Sequence, residues 1–249
     1  MPELNKANRQ TCDVDIRILK TMAPYLFFDT ANTTTANLEG ESVYAMAKGT
    51  RKIAFQDPIQ GTMTIEAQVY PFKLFSLLSD AKVETTAVQA VKETISGGEG
   101  TLTISNDKGT IVAGSVFVYP EGSFGEESEI VEGEFSDTTF TPTSPEDITS
   151  GKNFEVGYLI TRDSGVKRVS FNNSKIPPDY YITMSTLDKD EEGTLTPFQI
   201  IAYKATVQRN FELSFSSEGD PATVTLTFDL MEDKDGNVLD MVELTEDAE

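Results

Sequence analysis

The chain has no histidine, no tryptophan and one cysteine, and its 20 lysines and arginines face 41 aspartates and glutamates. Each shortage removes a class of function. Without histidine there is no base for a Ser-His-Asp or Cys-His nucleophile, and the usual His/Cys zinc sites are out of reach. Cys12 has no internal disulfide partner, which favours assembly inside a cell over secretion. A net charge of −21 argues against a grip on nucleic acid, which depends on basic side chains displacing counterions, and against basic docking to membranes. No apolar run approaches the ~18 residues of a membrane span. The opening MPELNKANRQ lacks the basic-then-apolar pattern of a signal peptide. A soluble protein made in the cytoplasm is the expectation, and Asn32-Thr33-Thr34 and Asn172-Asn173-Ser174 then read as loops, not glycan sites.

What is present is alternation. Met63, Ile65, Ala67 and Val69 alternate with Thr62, Thr64, Glu66 and Gln68, a half-buried strand that Pro71 ends. Phe72, Leu74, Phe75 and Leu78 follow at helical spacing, predicting a short amphipathic helix packed on the sheet; on this reading Phe75→Asp prevents folding. Asp57-Pro58 and Gly61 predict a turn back to an earlier strand with Ile53 and Phe55. Val14, Ile16 and Ile18 form an early strand leading to Tyr25–Phe28, and the Thr- and Asn-rich stretch Thr30–Glu41 reads as a loop. Leu102 and Ile104 predict a hairpin with Val116 and Val118, turning at Asn106–Gly109. Residues 120–151 contain no lysine or arginine and nine acids, so they read as an extended acidic loop or arm.

Alternation continues through Phe154, Val156 and Tyr158, resumes at Val166 and Val169, and returns at Tyr180–Leu187. A long strand runs from Phe198 through Val207 to Phe211, Leu213 and Phe215, turns at Glu218–Pro221 and returns through Val224–Leu230. A last hairpin sets Val224–Leu230 against Val238–Leu244 across Asp235-Gly236. Ten to twelve strands and one helix predict a mainly β chain: an antiparallel β-sandwich or partly closed barrel, in a single domain 1–249. The length allows it, since a chain of 249 residues buries a substantial core.

Few constellations suggest chemistry. Asp188, Asp190, Glu192 and Gly193 resemble the start of a calcium loop, but the twelfth position is Gln199 and Pro197 intrudes, so a plain acidic turn is the simpler reading. Asp233-x-Asp235-Gly236-Asn237 is weaker, because its glycine serves a turn. Gly97-Gly98-Glu99-Gly100 is a turn cluster with no phosphate-loop pattern after it. Carboxylate pairs arise by chance among 41 acids, and the missing tryptophan weakens a sugar cleft. No catalytic, cofactor-binding or metal residue is assigned, no cofactor is expected, and the chain is read as a non-enzyme.

The run KGTRKIAFQDPIQGTMTIEAQVYPFKLFSLLS (48–79) resembles the strand–strand–helix segment of major tail tube proteins of tailed bacteriophages, particularly those of Gram-positive hosts. TPFQIIAYKATVQRNFELSFSSEGDPATVTLTFDLM (196–231) is similar to their closing hairpin. The resemblance implies a virion structural protein, assembled in the host cytoplasm, whose homo-hexameric rings stack into a tail tube. Viral DNA passes through that tube without specific binding. Other tail proteins, such as sheath, terminator or baseplate components, are the implied partners, with long loops or terminal arms reaching the next ring. Two polar faces, Thr62/Thr64/Glu66/Gln68 and Thr223/Thr225/Thr227/Asp229, are candidates for the wetted side of the sheet. Six copies at −21 each would give a lumen with few attractions for DNA. The rival readings are a capsid decoration or receptor-binding β-sandwich, and a calcium- or carbohydrate-binding enzyme domain.

Overall fold

The computed structural model describes residues 5–79, 82–210 and 221–244. The chain falls into two compact units, one of residues 1–82 with 170–249 and one of residues 83–169. The expectation of mainly antiparallel β structure holds, and the sheets are not closed into a barrel.

The first unit begins with β1 (Lys6–Ala7), β2 (Asp13–Ile18), β3 (Ala23–Phe28), β4 (Ala31–Glu39), β5 (Ser42–Ala47), β6 (Thr50–Gln56) and β7 (Gln60–Ala67). The second unit contributes β8 (Ala87–Ser96), β9 (Leu102–Thr103), β10 (Thr110–Ile111), β11 (Phe117–Pro120), β12 (Gly133–Ser136), β13 (Thr139–Pro142) and β14 (Asn153–Arg162). The first is then completed by β15 (Tyr180–Asp190), β16 (Leu195–Val207), β17 (Val224–Met231) and β18 (Leu239–Glu243).

The main sheet of the first unit runs β3-β2-β15-β16-β17-β7-β4, with β1 on β15 and β18 on β16. Its edge strands β3 and β4 are consecutive in the chain, separated only by Asp29 and Thr30. A flat sheet would hold them six strand spacings apart, roughly 29 Å. Three peptide steps from Phe28 to Ala31 span at most about 11 Å. The sheet therefore curls until its edges approach at this covalent corner. Alternation fills the inside of the curl: Val14, Ile16, Met63, Ile65, Tyr180, Ile182, Leu226 and Phe228 are all buried.

The segment after β7 caps this core as a 3₁₀ helix, Phe72–Leu78, where an α-helix was expected. Leu74, Leu77 and Leu78 are buried, and Phe75 is only half-buried. The Leu74 N–H bonds the Pro71 carbonyl (2.9 Å), an i→i+3 link. The Ser76 hydroxyl donates to the Lys73 carbonyl (2.5 Å), competing for an acceptor that an α-helix would use. With that proton committed, the Ser76 oxygen accepts from the Tyr25 hydroxyl (2.6 Å), so the buried serine is satisfied.

Several expected pairings are replaced. Thr30–Glu41 is no loop, because β4 pairs along β7 from Ala31↔Ala67 to Glu39↔Gln60. Ile53 and Phe55 do not form a hairpin with β7; their strand β6 pairs with β5 in a separate two-stranded sheet. Val69 lies beyond the end of β7 and is exposed. β17 and β18 do not pair with each other: β17 lies on residues 204–207 of β16 and β18 on residues 198–202. The expected strand continuation through Phe211, Leu213 and Phe215, and the turn at Glu218–Asp220, lie outside the described residues.

In the second unit β14 is central, pairing over ten residues with β8 and on its other side with β10 and β11. Leu102 and Ile104 do not face Val116 and Val118, since β9 pairs with β13. The acidic stretch 120–151 is built into this unit and is not a free arm: β12 and β13 form a hairpin, and Phe140 and Ile148 are buried with Val118, Val156 and Tyr158. Val166 and Val169 form no strand; residues 166–169 contribute one bridge, Glu84↔Arg168.

Candidate assembly surfaces

Three features of the first unit face outward. The first is a polar face across three adjacent strands. Registry joins the two candidate faces into one: Thr62 opposes Asp229, Thr64 opposes Thr227, and Glu66 opposes Thr225. Edge strand β4 extends it, with Asn37, Thr35 and Thr33 opposite Thr62, Thr64 and Glu66. No lysine or arginine occurs in β4, β7 or β17, and Glu39, Glu66 and Asp229 are the acids on the face. Threonine suits this place, because it is β-branched and holds a pleated strand while presenting a hydroxyl to water.

The second feature is the open edge of β4. Among the described residues it pairs only with β7. Nine residues long, it contains neither proline nor lysine, the side chains that commonly blunt exposed edges. It is a ready template for strand pairing.

The third is the β5–β6 arm. Its turn residues Lys48 and Gly49 both have positive φ, +51° and +78°, the signature of a two-residue type I′ hairpin. Register puts Val43 beside Phe55 and Ala45 beside Ile53 on one face. An irregularity between Ala45 and Met46 then lets Arg51 oppose Met46 on the other face, where the Arg51 guanidinium lies 4.2 Å from the Tyr44 ring centre. Val43, Met46, Ile53 and Phe55 are each 57–59% exposed. A lone two-stranded ribbon is marginally stable in water, and among the described residues this one has no sheet beneath its apolar face.

The positions weighed for metal chemistry serve turns. Asp190 Oδ1 accepts the backbone N–H groups of Glu192 (3.0 Å) and Thr194 (2.7 Å) around Gly193, whose φ is +93°. Desolvation raises the Asp190 pKa, but N–H donors from Thr194, Glu192 and Gly193 together outweigh it and hold the carboxyl below its ordinary value. Asp233 Oδ1 likewise accepts from Asp235 (2.9 Å) and Asn237 (2.8 Å), and the Asn237 N–H is the main cause of its lowered pKa. Among the described residues no three acidic, His or Cys side chains converge as a metal site. The Tyr203 hydroxyl donates to Asp240, and this bond pushes the phenol up to about 12.

Of the arm, the sequence reading finds the strand with Ile53 and Phe55 but not its partner β5, and it misses the β4 edge. A signal for the arm was present in Lys48-Gly49, a two-residue break between runs of β-forming residues. For β4 there was no apolar alternation to find, because its outer side is polar and its inner side is small.

No helix among the described residues is long and apolar enough to cross a membrane. A search of curated proteins finds no match. A family model described as the YomU/Tube protein family matches residues 9–243. That match spans strands of both units and nearly the whole chain, so the protein belongs to the YomU/Tube family, a group of phage structural, tube-like virion tail components.

Proposed function

We propose that this chain is a tail tube subunit: copies join side by side in hexameric rings, the rings stack, and viral DNA leaves through the channel. The observation that carries this reading is the β5–β6 arm. A ribbon with Val43, Ile53 and Phe55 open to water gains its stability by landing on another copy. The unblunted β4 edge supports lateral joining, because pairing around a ring removes exposed edges. The polar β4–β7–β17 face is the side assigned to the channel, where hydroxyls and three carboxylates offer DNA phosphates few attractions. The subunit performs no chemical step; its work is assembly and passive conduction, and tail terminator, sheath or baseplate proteins are its further partners.

Negative-stain electron microscopy with light scattering on concentrated protein tests the proposal. Rings or tubes are expected. Replacing residues 43–55 by a short Gly-Ser linker is expected to leave a folded protein of nearly unchanged melting temperature that no longer stacks. Isolated monomers or trimers at high concentration, with no annular species, would favour a decoration or receptor-binding module instead.

A further inference from the structure

The arm has a charge opposite to that of the rest of the chain. Residues 42–56 contain Lys48, Arg51 and Lys52 and no acid, so all 41 acids lie outside it with 17 of the 20 bases. All three cations are exposed, and none makes an ion pair among the described residues. The arm is thus amphipathic in two senses: an apolar face along its length and a basic tip.

The second unit carries a surface of the complementary kind. Glu126, Glu127, Glu129, Glu132 and Glu134 are exposed and likewise make no ion pair among the described residues. Beside them runs an apolar groove lined by Ala90, Phe117, Tyr119, Phe124 and Leu159. Phe117 in β11 is 49% exposed, and Phe124 in the turn that follows it is 41% exposed. The two features are neighbours by construction, because Val131 bridges Val118 in β11, the strand that also presents Phe117 and Tyr119. Unpaired carboxylates next to an open aromatic groove match unpaired cations next to an open aliphatic ribbon.

We infer that the β5–β6 arm of one copy docks on the second unit of another copy, its Val43–Ile53–Phe55 face in the Phe117–Phe124 groove and its basic tip on Glu126–Glu134. The inference rests on the self-assembly reading and names the surface that the arm meets. Head-to-tail contact of this kind is heterologous, so repetition builds closed rings or open stacks and does not stop at a dimer. It gives the inserted unit a part in assembly, and it makes assembly dependent on salt, since exposed charges are screened over about 8–10 Å at physiological ionic strength.

Charge exchange in the full-length chain tests this directly. One variant carries K48E/R51E/K52E, giving an acidic arm; the other carries E126K/E127K/E129K, giving a basic docking surface. Each alone is expected to raise the concentration at which assembly begins by about tenfold, read by sedimentation velocity and light scattering. Mixed in equal amounts they are expected to co-assemble near the wild-type threshold, because each arm then finds an opposite charge. Circular dichroism and melting curves confirm that both remain folded. Co-assembly no better than either variant alone overturns the inference. So does a Glu→Lys variant that assembles normally while the arm variant fails, since the arm then docks elsewhere. If the arm variant assembles normally but loses retention of double-stranded DNA, the tip binds nucleic acid and the inference is lost. In each of these cases wild-type assembly leaves the tube reading standing; wild-type protein that never assembles removes both.

Discussion

Gly157 and Phe124 show how one missing side chain shapes a surface. A Cβ at position 157 would lie 2.8 Å from the Cε2 and Cζ atoms of Phe124, so the ring rests directly on the β14 backbone. There the ring also meets Tyr119 (centroids 5.1 Å apart) and the Lys92 ammonium, 4.2 Å above its centre. Gly157→Val is expected to displace the ring and cost about 1 kcal/mol, read as a melting-temperature drop of a few degrees. A neutral outcome would mean that Phe124 finds an equally good place. A second residue-scale case is Tyr203. Its hydrogen bond to Asp240 raises its pKa to about 12 from the ordinary 10, so the folded state holds the proton more tightly than the unfolded chain does. The resulting stabilisation is complete below pH 10 and is lost as pH rises from 10 toward 12. Urea midpoints of wild type and Tyr203→Phe should therefore differ at pH 9 and converge near pH 12. A gap that widens with pH would reverse the assignment. Asp233 has the opposite sign: its lowered pKa contributes stability above its unfolded value of 3.8 that disappears as the pH falls through the folded one.

Among the elements, the 3₁₀ helix Phe72–Leu78 carries more of the core than its length suggests. Leu77 is fully buried, and its carbonyl accepts the Tyr180 hydroxyl (3.4 Å). Leu77→Ala is expected to cost about 2–5 kcal/mol in urea unfolding, and Leu77→Asp to prevent folding. Phe75→Asp should be milder than the sequence suggested, because Phe75 packs at the rim. If the two Asp variants lose stability equally, the division between buried and rim positions is wrong. The sequence made β7, β14, β15 and β17 legible because one face of each is buried, and the strict alternation of Met63-Thr64-Ile65 or Phe154-Glu155-Val156 records that directly. It hid β4 and β8 for a complementary reason. ANTTTANLE has few apolar residues to alternate, and in AVQAVKETIS most positions are exposed, so neither stretch shows a clear one-sided pattern. Partner choice was hidden as well. The turn pair Asp235-Gly236 predicts a hairpin of β18 on β17, but both strands run antiparallel to β16, β17 on residues 204–207 and β18 on residues 198–202. The chain therefore keeps its direction, a choice of partner that depends on tertiary contacts. Of the candidate surfaces, the Thr faces were visible as two separate patterns; that they form one face followed only from the pairing of β17 with β7.

At the scale of the whole molecule, the polar face matters through what it lacks. Three adjacent strands without a cation, in a chain of charge −21, make a surface on which a polyanion finds no counterion to displace. If that face lines the channel, two added cations per subunit should convert a conduit into a binding surface. Thr35→Lys with Thr227→Lys is the informative pair. Both positions lie in one row across the sheet, separated by Thr64, which keeps the new charges about 10 Å apart and limits their mutual repulsion. Neither residue belongs to the buried core, so folding and assembly should survive. Assembled wild-type tubes are expected to retain no short double-stranded DNA on gel filtration at low salt. Tubes of the double variant are expected to retain it, and to release it as salt rises, because copies repeated around the proposed ring multiply a modest phosphate attraction. Equal DNA retention by both tubes would show that the β4–β7–β17 face does not line the channel, and retention by wild type alone would show that the channel is lined by a different, basic surface.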